Sequence, residues 1–148
     1  MSGTTSKNTK AGFSEQERAA MKERAAELKT EQKRGRNRAA GEKAALDEIA
    51  KMPPSDREIA EHFHALVTAT APDLDPKTWY GFPAYARDGK IVCFLQPAAK
   101  FSARYATIGF NDSANLDDGD MWATSFAVIA WTDDVEKALR DLIVRAAS

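Results

Sequence analysis

Seven residues have side chains suited to gripping a small molecule: Trp79, Tyr80, Tyr85, Lys100, Arg104, Tyr105 and Trp122. Each falls at the end of an extended segment or in an adjoining loop. Aromatic faces hold flat or cationic groups, while Lys100 and Arg104 can fix an anionic one, so together they predict a ligand pocket. The competing reading is that the Trp and Tyr rings edge a small core with their polar atoms in water. Four carboxylates, Asp112, Asp117, Asp118 and Asp120, form a second set, whose oxygens would suit a hard cation such as iron or calcium. Their spacing is a poor EF-hand. With Gly119 as the turn glycine, Asp118 takes the preceding ligand position, but Leu116 and Ala114 fall where two more oxygen ligands belong. Asp and Gly acting as turn formers explain the segment better.

His62 and His64 are about 200° apart around a helix and cannot converge on one ion. The spacing places His62 beside the apolar stripe and His64 further out, both as ordinary helix residues. Cys93 lies in an apolar run, where a thiol behaves as a small hydrophobe. The chain has no nucleophile elbow, phosphate-cradling glycine loop or dinucleotide fingerprint. These features weigh against an enzyme, with a Tyr or Lys acid or base in the aromatic pocket as the version that stays open.

The elements that must position these groups follow from composition and period. The chain has 148 residues, 43% hydrophobic and 29% charged, enough for one domain core. A single cysteine forms no internal disulfide, and no long apolar run suggests a signal peptide or membrane span, so we expect a soluble cytoplasmic protein. Up to Lys51 there are 12 Lys and Arg against 8 Asp and Glu; from Met52 onward the balance is 9 against 14. The division predicts a disordered tail over 1–12, a basic helical extension over 13–51 and an α+β domain over 52–148. The run Lys33 to Arg38 could neutralise phosphates but has no interleaved aromatic platform, which makes nucleic acid the second function class and a solvated linker the better reading.

Within the extension, Ser14 and Glu17 make a capping box that starts a helix to about Arg34. Its apolar stripe would be Met21, Ala25 and Leu28 with Ala20 nearby, leaving Glu23 and Glu27 on a wetter face. A second helix over about 39–51 offers Ala45, Leu46, Ile49 and Ala50. Such thinly apolar helices could pack on a second copy of the chain. Next, Ser55 and Glu58 read as a capping box for a helix carrying Ile59, Phe63, Leu66, Val67 and Thr70. The C-terminal helix has Thr132 as its cap, Asp133 and Asp134 in its first turn, and a stripe of Val135, Ala138, Leu139, Leu142, Ile143 and Ala146. Between these two helices the period becomes extended: Ala84 to Ala86, the Asp88-Gly89 hairpin turn, Ile91 to Leu95, Arg104 to Phe110, and Thr124 to Trp131. The prediction is an antiparallel sheet of four to five strands backed by helices.

Taken in order, Trp79-Tyr80-Gly81-Phe82-Pro83-Ala84-Tyr85, Gly89-Lys90, Lys100-Phe101, Tyr105 to Phe110, Leu116 to Gly119 and Met121-Trp122 resemble the YdhG-like domain-of-unknown-function family. The resemblance spans about Pro54 to Ala147. Phe82 stands where the family pattern has methionine, and Ala123 where it has proline. The resemblance implies an α+β fold with an antiparallel sheet. Because some members are frataxin-like intracellular iron chaperones, it also implies iron-binding carboxylates and an iron-delivery partner, with no catalytic residue to carry over. The combined expectation is a small ligand- or metal-binding protein.

Overall fold

The computed structural model describes residues 14–34 and 38–148, with only the backbone of 30–34. The expected tail over 1–12 and the glycine break at Gly35 lie outside the described residues. Helix α1 spans Glu15–Arg34, α2 Arg38–Ala50 and α3 Pro54–Thr70. Strands β1 (Asp75–Trp79), β2 (Phe82–Arg87), β3 (Lys90–Gln96), β4 (Ala106–Phe110) and β5 (Ser125–Val128) follow, and α4 (Asp133–Ala146) closes the chain. A 3-10 turn, Ala99–Phe101, lies between β3 and β4. The strands form one antiparallel sheet in the order β1-β2-β3-β4-β5, the α+β architecture that the alternation of apolar runs and turns requires. No helix among the described residues is long and apolar enough to cross a membrane.

Two hairpin turns are the tightest points of this meander. Asp88 and Gly89 have φ of 52° and 80°, the paired left-handed geometry expected of an Asp-Gly turn. Tyr80 and Gly81 repeat it, with φ of 53° and 79°. The Trp79 to Tyr85 segment therefore holds the turn of a hairpin, β1 pairing with β2 from Asp75↔Ala86 to Trp79↔Phe82. Sequence reading missed β1 because Asp75 and Pro76 are poor strand formers. Pro76 is tolerated at this sheet edge, where its missing N–H breaks no ladder.

The sheet has two unlike faces. Tyr85, Cys93, Leu95, Ile108 and Phe110 point toward α3 and α4 and join Phe63, Val67, Leu139 and Ile143 in one core. The opposite face carries an aromatic layer of Trp79, Phe82 and Phe94, continued by Tyr80 and Phe101, with ring centroids 5.1 to 6.4 Å apart. Gly109 leaves the room that Phe94 fills, since a Cβ there would collide with the ring.

Helix α2 belongs to the packed body. Ala45 and Ile49 are buried, Ile49 within the main core, and Gly41 lets the helix approach the Pro76 carbonyl. Leu46, expected inside, is 44% exposed. In α1 the capping box forms as expected, Glu17 N–H donating to Ser14 Oγ at 3.0 Å and Ser14 N–H to Glu17 Oε1 at 2.9 Å. Its packing face differs from the expected stripe: Ala20 is buried, whereas Leu28 is 44% exposed. Gln16, Ala20, Glu23 and Glu27 are among the residues that reach the domain, one face at helical spacing. The Ser55 box does not form. Pro53 occupies the N-cap without a side-chain bond, Pro54 begins the helix, and the neighbouring Asp56 is used elsewhere.

Candidate functional site

Glu27 and Glu23 sit four residues apart on α1 and reach two different parts of the sheet end. Glu27 Oε2 accepts the Gly81 backbone N–H at 2.9 Å, and the Glu23 carboxylate pairs with Lys100 Nζ on the 3-10 turn. The Tyr80-Gly81 turn can offer that N–H because both residues are left-handed, aiming the peptide outward from the hairpin. Gly81 has a second role as well: a Cβ there would strike the Glu23 carboxylate.

Burial pushes the Glu27 carboxyl above its ordinary value, and hydrogen bonding from Gly81, Thr78 and Tyr80 together with the Arg24 charge only partly offsets this. Its Oε1 has no hydrogen-bond partner; the nearest cation, Arg24 Nη1, is 3.6 Å away.

Asp56 positions the 3-10 turn. Its buried carboxylate accepts the Ala98 and Ala99 N–H groups, each at 3.0 Å, supplying the two acceptors that the turn's start lacks. Lys100 is thereby presented from a fixed backbone.

Next to these groups lies a groove of about 330 Å³, lined by Glu23, Glu48, Lys51, Met52, Pro53, Gly81, Pro97, Ala99 and Lys100. Two ion pairs border it, Glu23 with Lys100 and Glu48 with Lys51 at 3.0 Å. The hydrogen bond and charge of Glu48, followed by the charges of Glu23 and Asp47, hold the Lys51 ammonium above its ordinary pKa. Met52, Pro53, Pro97 and Ala99 add apolar wall.

The seven aromatic and cationic residues singled out from sequence do not share one cavity. Tyr85 is fully buried on the core face. Trp122 lies just before Thr124, whose carbonyl takes the Phe110 N–H, at the opposite sheet end from the Trp79↔Phe82 pair. Arg104 stacks over Tyr105, its guanidinium carbon 5.3 Å from the ring centroid, and both are exposed. Trp79 and Tyr80 are half-buried in the aromatic layer. Only Lys100 lines the groove. Asp112, Asp117, Asp118 and Asp120 are all exposed, and among the described residues no three His, Cys, Asp or Glu side chains are placed to hold one metal ion.

The histidines exchange their expected places. His64 is buried, with Nδ1 3.0 Å from the Tyr85 hydroxyl and Nε2 3.0 Å from Glu42 Oε2. A neutral ring protonated on Nε2 satisfies all three groups, Tyr85 donating to Nδ1 and Nε2–H donating to Glu42. His62 is exposed and stacks on Trp131, centroids 5.4 Å apart. The Glu42-His64-Tyr85 chain joins α2, α3 and β2, and Tyr85 has no open face from which to meet a substrate. Burial likewise pushes the Cys93 thiol far up and leaves no reactive thiolate.

The sequence reading did not select Glu23, Glu27, Glu48, Lys51 or Gly81 as site residues. The signal for Glu23 and Glu27 was their place on the same helical face as Ala20, the α1 residue that becomes buried. No protein-family model, curated protein or solved structure matches the chain.

Proposed function

We propose that the protein is a small-ligand-binding protein whose site is the groove beside the Tyr80-Gly81 turn. One observation carries the reading: a concavity of about 330 Å³ in which two ammonium groups, Lys51 and Lys100, and two carboxylates, Glu23 and Glu48, surround a short apolar wall. That volume is at the lower end of ligand pockets, which span roughly 300–1,000 Å³ and set a few placed polar groups in an apolar lining. The occupant that fits is small, charged at one end and apolar at the other. The lining offers no hydroxyl or thiol, and both of its lysines are ion-paired with carboxylates, which favours binding over catalysis.

Iron handling, which the YdhG-like resemblance implies, is a separate reading. It would draw on the Asp112 to Asp120 loop as a surface cation site, with an iron-delivery partner completing the coordination.

The test of the groove is a thermal-shift and calorimetric panel of amino acids, small carboxylates and inorganic phosphate against the full chain. At least one compound should raise the melting temperature, and Lys51→Ala/Lys100→Ala should abolish the effect. A panel in which no compound binds sinks the groove, and saturable ferrous binding lost in Asp117→Asn/Asp118→Asn would move the function to the acidic loop.

A further inference from the structure

We propose that the groove takes a small organic carboxylate, and that Glu27 and Glu23 of α1 occupy the places of that carboxylate, so that ligand binding releases α1. The inference rests on the groove being a binding site.

Three features of the turn carry it. Gly81 N–H points at α1 and its acceptor is a carboxylate from 54 residues away, not a neighbouring group of the hairpin. Lys100, the cation beside it, is likewise neutralised by an α1 carboxylate. Both acceptors belong to one helix and both partners to the sheet end that lines the groove. A backbone N–H next to an ammonium is a carboxylate-binding pair, and here it is filled from within the chain.

The internal occupant fits imperfectly. Glu27 Oε1 makes no hydrogen bond and has only the Arg24 guanidinium, at 3.6 Å, beside it, and burial disfavours its charged form. Around the turn, α1 makes exchangeable polar contacts: Gln16 with Ser102, Glu23 with Lys100 and Glu27 with Gly81. Ala20 is the one side chain of α1 in the buried apolar set of the described residues. A free carboxylate can replace the Glu27 and Glu23 contacts, one oxygen on the Gly81 N–H and one on Lys100, whereas it could not displace a helix anchored by a broad apolar stripe. Docked α1 and bound carboxylate therefore compete for Gly81 and Lys100, and the apparent affinity falls by the fraction of molecules with α1 in place.

Two substitutions at Glu27 separate this from a structural role. Glu27→Ala removes the internal competitor, and benzoate, the probe carboxylate, should bind about tenfold more tightly by calorimetry. Glu27→Gln keeps an amide oxygen for Gly81 N–H and removes the burial penalty of the charge, so it should hold α1 more firmly and weaken benzoate. In the unaltered chain, saturating benzoate should speed hydrogen exchange of α1 amides. Equal benzoate affinity in all three proteins, or α1 exchange unchanged at saturation, overturns the proposal. Should inorganic phosphate from the panel bind in a Lys51- and Lys100-dependent way while no carboxylate does, the groove stands and the carboxylate mimicry alone falls; if nothing binds, both fall.

Discussion

Gly81 and Glu27 are 54 residues apart in sequence and 2.9 Å apart in the fold, the backbone N–H of a left-handed turn donating to a helix carboxylate. This contact ties the N-terminal helix to the end of the sheet where the groove lies. Replacing Gly81 with Ala places a Cβ at φ of 79° and against the Glu23 carboxylate. The left-handed backbone alone should cost about 1–2 kcal/mol. Denaturant unfolding should show that loss, and hydrogen exchange should place the largest change in α1.

Glu27 also makes α1 docking depend on pH. Its carboxyl is raised in the folded chain, so its contribution is present below the ordinary carboxylate value of 4.5 and is lost as pH rises through the higher folded value. The groups facing it are Arg24 on its own helix and Thr78, Tyr80 and Gly81 on the hairpin, with the Glu23-Lys100 pair alongside. Protection of α1 amides should therefore increase as pH falls from 7 toward that window, after correction for intrinsic exchange. In Glu27→Gln the same titration should be flat.

Asp56 should be worth more than an ordinary surface carboxylate. Asp56→Ala leaves the Ala98 and Ala99 N–H groups without their acceptor, a loss of about 2–3 kcal/mol for charge-assisted bonds at a buried site. Chemical unfolding measures the loss. Because the turn carries Lys100, ligand affinity in the groove should fall with it.

The Glu42-His64-Tyr85 chain is a structural device, and its removal should read out in stability. Tyr85→Phe keeps the ring packed on Phe63 but leaves His64 Nδ1 unpaired in the core, at a cost of about 1–3 kcal/mol. Ligand binding in the groove should be unchanged, since none of the three residues lines it.

Burial protects Cys93. Iodoacetamide should leave it unmodified in the native chain and label it only after denaturant unfolds the sheet, as followed by mass spectrometry.

What the sequence reveals here is what local chemistry controls. Asp88-Gly89 forces a hairpin whatever surrounds it, Ser14 with Glu17 and Thr132 with the Val135 N–H cap their helices, and the α3 and α4 stripes bury nearly as their spacing demands. The α+β fold follows from those elements. The site was less legible because long-range pairing determines it. Glu27 looks like a solvated helix residue until the hairpin presents Gly81 to it. Tyr80 adopts a left-handed turn that its own preference would avoid, hiding β1 from propensity. His64 reads as the outer histidine because only the tertiary fold supplies Tyr85 and Glu42 as partners. Tyr85 and Trp122, adjacent in character, are separated by the register of the strands between them.

The most direct test is the Gly81 amide itself, followed by two-dimensional nitrogen–proton NMR while benzoate is titrated into the full chain. The Gly81 resonance should move with the midpoint that calorimetry gives, together with resonances of Lys100 and of α1 from Gln16 to Glu27, and Glu27→Ala should shift that midpoint to lower benzoate concentration. A Gly81 resonance that stays still at saturating benzoate while other amides move would contradict the account.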